Sequence, residues 1–114
     1  ILDREAHPNV AEAGGPAWLA NVMMRPVDSS RGVFGADTAR ALVTHSTTHS
    51  ARSAFISVEN TTNRGGGLPW PIETLAELRA LCDEHGMRLH MDGARLLNAV
   101  VATGIPATTY AAYA

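Results

Sequence analysis

The sequence predicts an α/β fold with parallel strands. Three observations carry the prediction. The apolar runs Ala54–Glu59 and Met87–Asp92 have strand length, and each ends in an acid. Between them Ile72, Leu75, Leu78, Leu81 and Cys82 repeat at helical spacing. After the second run, Ala94 to Thr103 again reads as helix. Strand, helix, strand, helix in that order argues for parallel strands joined by right-handed crossovers.

Each element follows from local chemistry. Residues 1–3 read as the end of a strand. His7-Pro8-Asn9 is a turn or helix entry, since proline suits the first helical turn. Val10 to Ala13 reads as a short helix stopped by Gly14-Gly15. Val22 to Pro26 is a weakly marked strand, with proline at its end. Asp28 to Gly35 is polar and reads as loop. Asp37 is placed to N-cap a helix through about Val43. Thr44 to Arg52 is rich in Ser and Thr, which favours loop over helix. Asn60 to Pro71 is a long loop holding Gly65-Gly66-Gly67. Pro71 opens the long helix, which runs to about His85 and stops at Gly86. Gly104 and Pro106 end the last predicted helix, and Tyr110–Ala114 reads as part of another.

Composition narrows the functional class. At 114 residues the chain is at most one modest domain. A net charge of −2 gives no electrostatic reason to expect nucleic acid or an anionic membrane as partner. No apolar run approaches the roughly 20 residues that span a bilayer. The single cysteine, Cys82, excludes an internal disulfide and fits a reducing compartment, so a cytoplasmic location is expected. All nine basic residues are Arg. Both ends read as cut, so an internal piece of a longer protein is expected.

The residues that could carry chemistry lie at the strand ends. Asp92 ends the second strand, where ligands of α/β sheets bind. It is either a carboxylate for a cationic ligand atom or an N-cap for the following helix. Arg95, three residues on, could hold a carboxylate or phenolate oxygen, or pair locally with Asp92. Glu59-Asn60-Thr61-Thr62-Asn63-Arg64-Gly65-Gly66-Gly67 follows the first strand at the same sheet edge; its members are ligand contacts or turn residues. The glycine triplet lacks the Gly-Lys-Ser/Thr ending of a phosphate loop. His7 could stack on a flat ring, act as acid or base, or be a simple turn histidine. His45 and His49 stand four apart without an evident third ligand, so no metal site is expected. His90 alternates with core positions and reads as a near-core histidine. Cys82 reads as packing. Trp18 and Trp70, both near prolines in loops, read as core lids or interface anchors.

Three motifs resemble the low-specificity L-threonine aldolases, in the β-eliminating lyase group of fold-type I pyridoxal-phosphate enzymes. They are His7 with Glu12-Ala13-Gly14-Gly15, Glu59-Asn60-Thr61-Thr62-Asn63, and His90-Met91-Asp92-Gly93-Ala94-Arg95-Leu96-Leu97-Asn98-Ala99. The resemblance implies that residues 1–114 form the central part of the large, pyridoxal 5'-phosphate-binding domain, a three-layer αβα unit with a mostly parallel sheet. It implies that Asp92 pairs with the cofactor's ring nitrogen, that His7 stacks on the ring, and that Arg95 contacts the ring oxygen or the substrate carboxylate. The implied reaction is retro-aldol cleavage of L-threonine, L-allo-threonine or a related β-hydroxy amino acid to glycine and an aldehyde. The family also implies a homo-oligomer, commonly a tetramer. Thr62 stands where many members carry a histidine that contacts the substrate hydroxyl. A threonine hydroxyl hydrogen-bonds but is a poor base at neutral pH. Bulkier β-hydroxy amino acids, or a base acting through water, are therefore expected. The family's Schiff-base lysine and phosphate-binding segment are not in this sequence, so the chain alone is expected to be inactive. Another fold-type I enzyme acting at Cα, by elimination or racemisation, is the first rival reading. A non-catalytic homologue that keeps the fold is the second.

Overall fold

The computed structural model describes residues 1–114 as an α/β fold. In chain order the elements are β1 (Leu2–Asp3), α1 (His7–Val10), α2 (Gly15–Ala20), β2 (Pro26–Val27), α3 (Ala36–Arg40), β3 (Phe55–Glu59), α4 (Ile72–Glu84), β4 (Arg88–Asp92), α5 (Leu96–Thr103) and α6 (Ala107–Ala111). The four strands form one sheet in the order β2-β1-β3-β4, and every pairing is parallel. Each return to the parallel direction requires a crossover, and α4 makes the one between β3 and β4.

The β3–β4 register runs from Phe55↔Arg88 to Glu59↔Asp92. Alternation along the strands sorts these pairs onto two faces. Ile56, Val58 and Leu89 are buried on one face, with Met91 partly buried beside them. Helix α4 packs against β3 and β4 and buries Leu75, Leu78, Leu81 and Cys82. Fully burying each leucine contributes about 1.5–3 kcal/mol. Ala99 of α5 and Tyr110 of α6 enter the same core, as does Trp70 from the β3–α4 loop. The other face carries Phe55, Ser57, Glu59, Arg88, His90 and Asp92.

Several elements differ from the sequence reading. Gly14-Gly15 does not stop a helix but starts one. Gly14 takes a left-handed φ of 77°, Gly15 is the first residue of α2, and Pro16 fits its first turn. The strand expected at Val22–Pro26 starts four residues later and is shorter, at Pro26–Val27. Proline is tolerated there because β2 is an edge strand and Pro26 is its first residue. Helix α3 is capped by Gly35, with Asp37 inside its first turn, and ends at Arg40. The chain reaches Val43 through tight turns, in which Leu42 and Val43 donate to the carbonyls of Ala39 and Arg40. Helix α5 begins at Leu96, because Leu96 N–H first closes a turn onto Gly93 O at 2.9 Å. His90 is exposed on the face opposite Leu89, where Ser57 Oγ lies 3.0 Å from its Nδ1. Trp70 is 1% exposed and packs edge-on to Phe34, with ring centroids 5.3 Å apart. That rules out the surface anchor considered for it and leaves the core role. Trp18, by contrast, is 83% exposed. No helix is long and apolar enough to cross a membrane.

Candidate functional site

Three parallel strands, β1, β3 and β4, end at one sheet edge, and the polar residues gather there. Glu59 and Asp92 are register partners, so neighbouring strands present their carboxylates on one face. Asn60 N–H donates to Asp92 O at 2.9 Å, extending the pairing one residue past β3. Gly93 then turns the chain. Asp92 is half-buried, and its Oδ1 accepts the Ala94 N–H at 3.1 Å. Asp92 thus braces the turn before α5, while Arg95 occupies the N-cap position without a side-chain cap bond.

Glu59 is 5% exposed. Its Oε1 accepts from Arg95 Nη1 at 3.2 Å, and its Oε2 accepts the Asn63 N–H at 3.1 Å. Its carbonyl accepts the Trp70 indole N–H at 3.0 Å. Arg95 therefore pairs across the sheet with Glu59 rather than with its sequence neighbour Asp92. Asn60 is fully buried; its Oδ1 accepts the Trp70 N–H at 3.3 Å, and its Nδ2 has no partner.

The β3–α4 loop folds back on itself through Thr62. Its Oγ1 accepts the Leu68 N–H at 3.1 Å, its carbonyl accepts the Gly67 N–H at 2.8 Å, and the residue is 2% exposed. The loop also leans on the β2–α3 turn, where Arg31 Nε donates to Gly65 O at 2.9 Å. No helix opens directly from the glycine triplet.

His7 opens α1, just past the end of β1, and so lies off the same sheet edge. Its Nδ1 is 2.6 Å from Glu12 Oε1. The segment before it is tied to the β3–α4 loop by Arg64 Nη1, which donates to Glu5 Oε2 at 3.1 Å. The imidazole is partly exposed and oriented by one carboxylate, which suits a ring that must keep a plane. His45 lies in another part of the fold, tilted against His85 at 5.7 Å between centroids. No group of three His, Cys, Asp or Glu side chains is arranged to hold a metal ion.

Sequence reasoning placed Glu59 and Asp92 at one edge but missed two partners: Glu59 for Arg95, and Glu12 for His7. The Glu59↔Asp92 register could have been read from the equal strand lengths. The His7–Glu12 bond could not, because α1 ends at Val10 and the chain returns through a turn.

The donor set fits a flat, cationic heteroaromatic group. Asp92 spends one oxygen on Ala94 and keeps the other, the His7 ring is partly exposed, and Arg95 keeps donors beyond the one given to Glu59. The imine-forming lysine of a pyridoxal-phosphate enzyme is not among these residues.

Open α/β sheets bind ligands beyond the C-terminal ends of their strands, and Asp92 keeps one oxygen open at that edge here. The model of the beta-eliminating lyase family matches residues 1–114, and the chain belongs to that family. Membership implies pyridoxal phosphate as cofactor. The low-specificity L-threonine aldolase of Candida albicans is 39% identical over 117 residues, covering 99% of this chain and 30% of that protein. An alanine racemase of Cochliobolus carbonum is 34% identical over 106 residues, covering 91% of this chain and 26% of that protein. The solved threonine aldolase of Leishmania major superposes with a TM-score of 0.86 at 20% identity, over 98% of this chain and 33% of that one. That likeness concerns the fold. The chain spans a third or less of the length of each of these proteins.

Proposed function

We propose that residues 1–114 form the central part of the cofactor-binding domain of a pyridoxal-phosphate-dependent aldehyde-lyase. The substrate would be L-threonine, L-allo-threonine or a related β-hydroxy amino acid, and the products glycine and an aldehyde. The carrying observation is Asp92: a half-buried carboxylate at the end of β4 with one oxygen uncommitted. When bound, the cofactor supplies a ring that takes up the electron pair left as the Cα–Cβ bond breaks. Asp92 holds a proton at the ring nitrogen, since a nearby carboxylate favours the charged form. His7, oriented by Glu12, stacks on the ring and excludes water from one face. Arg95 directs its remaining N–H groups to the ring oxygen or the substrate carboxylate. The Thr62 hydroxyl is buried and accepts the Leu68 N–H, which supports a loop-shaping role. Removal of the β-hydroxyl proton then falls to water or to a group outside these residues.

The racemase relative favours a second reading, proton exchange at Cα with the carbon skeleton retained. Product analysis of the full-length protein separates the two. Incubation with L-allo-threonine and cofactor is expected to yield glycine and acetaldehyde in equal amounts. Retention of the four-carbon skeleton with inverted configuration would overturn the aldolase reading. Failure to form a borohydride-reducible cofactor adduct would point to a non-catalytic homologue. Asp92→Asn is expected to lower kcat by about 10² or more, the scale for one preorganised electrostatic group. A cytoplasmic location and a homo-oligomer, tetrameric as in the family, belong to the same proposal; light scattering reads the assembly.

A further inference from the structure

We infer that Glu59 is a positioning residue whose task is to hold Arg95 away from Asp92. The inference rests on the proposed cofactor reading, because it concerns which carboxylate stays free for a cationic ligand.

Glu59 and Asp92 leave the sheet on the same face of adjacent strands, about 4.8 Å apart in the pairing direction. One guanidinium could serve either. Arg95 is three residues from Asp92 in sequence and 36 from Glu59. The structure nevertheless has the long-range pair. Glu59 is buried, and Asn63 N–H fixes its second oxygen. That carboxylate is preorganised between two donors, one on each oxygen. Asp92 is more exposed, with one oxygen turned to Ala94 N–H. The buried acceptor wins because the low surrounding dielectric strengthens its attraction for the cation.

The consequence is a division of charge. Arg95 offsets Glu59, and Asp92 is the carboxylate left with an open oxygen. Without the charge on Glu59, the guanidinium's nearest anion becomes Asp92, and the ligand cation then competes with a tethered arginine. Glu59 thus supports a ligand that it need not touch.

The test uses the full-length protein as wild type, Glu59→Gln, Arg95→Gln and the double variant. Cofactor binding to the apo-protein is read by fluorescence, together with the thermal midpoint of each apo form. Glu59→Gln is expected to weaken binding about tenfold or more with Arg95 present, as loss of one buried charge partner does. In the Arg95→Gln background the same change should cost little, because no cation remains to be released. An equal loss in both backgrounds, or no loss in either, overturns the inference. A loss that merely follows the fall in thermal midpoint does the same, since it marks a purely structural role. If the wild type binds no cofactor, the proposed function fails by itself. A crystal structure of the apo Glu59→Gln variant then decides the inference separately: Arg95 on Asp92 supports it, and Arg95 anywhere else overturns it.

Discussion

Replacing Gly65 with alanine tests how tightly the β3–α4 loop is seated. A Cβ at Gly65 would run into the Arg31 carbonyl oxygen and Thr62 Oγ1, and would stand 2.6 Å from the Arg31 carbonyl carbon. Neither neighbour is a pliable side-chain end: one is backbone, and the other belongs to a residue buried to 2% exposure. One loop must therefore shift bodily. Overpacking of this kind costs about 1–3 kcal/mol. The Arg31–Gly65 hydrogen bond is lost as well, at about 0.5–1.5 kcal/mol. Reduced freedom of the unfolded chain returns about 0.4–1 kcal/mol. The net expectation is a loss of about 2 kcal/mol, within a span of about 0.5–4 kcal/mol. Gly67→Ala supplies the control, since Gly67 has a φ of 75° but meets no atom within 4 Å. Its cost is left-handed strain less the same unfolded-chain return, about 1 kcal/mol net. Urea denaturation of the full-length protein, with the slope unchanged, measures both. If Gly65→Ala loses no more than Gly67→Ala, the claimed close approach of the two loops is wrong.

Two further predictions concern buried groups. Trp70→Phe should keep most of the packing against Phe34 but strand the Glu59 carbonyl, at about 1–3 kcal/mol, whereas Trp70→Ala should cost about 3–5 kcal/mol. Chemical denaturation reads both, and a change in assembly without a change in stability would contradict the core placement. Burial pushes the Cys82 thiol above its ordinary range, and its Sγ–H donates to Arg88 O at 3.4 Å. Iodoacetamide at pH 8 should therefore label it only on unfolding; fast labelling of the native protein would count against that. The folded state favours the neutral thiol, so its contribution is complete below the unfolded pKa, about 8.5, and is lost as pH rises through the folded value. Stability should decline in that alkaline window, and Cys82→Ala should remove this part of the decline.

The sequence by itself determined β3, α4 and β4. Their apolar periods are unambiguous, and Gly86 and Gly93 punctuate them. It also determined that Glu59 and Asp92 end neighbouring strands, since parallel βαβ topology carries both to one edge. The strand end at residues 1–3 and the start of α3 were legible too, but α2, the place of β2 and the end of α3 were not. Helices α2 and α3 have six and five residues, too few for periodicity to outweigh local turn chemistry. Gly14-Gly15 reads as a stop in isolation, yet Gly14 takes the left-handed turn that launches α2. The partner of Arg95 was decided only by tertiary structure. Sequence offers Asp92 three residues away. Folding buries Glu59 36 positions away, fixes its second oxygen on Asn63, and so makes the distant acid the stronger acceptor. Local propensity acts over a few residues, whereas burial and the dielectric around a charge exist only once the chain has packed.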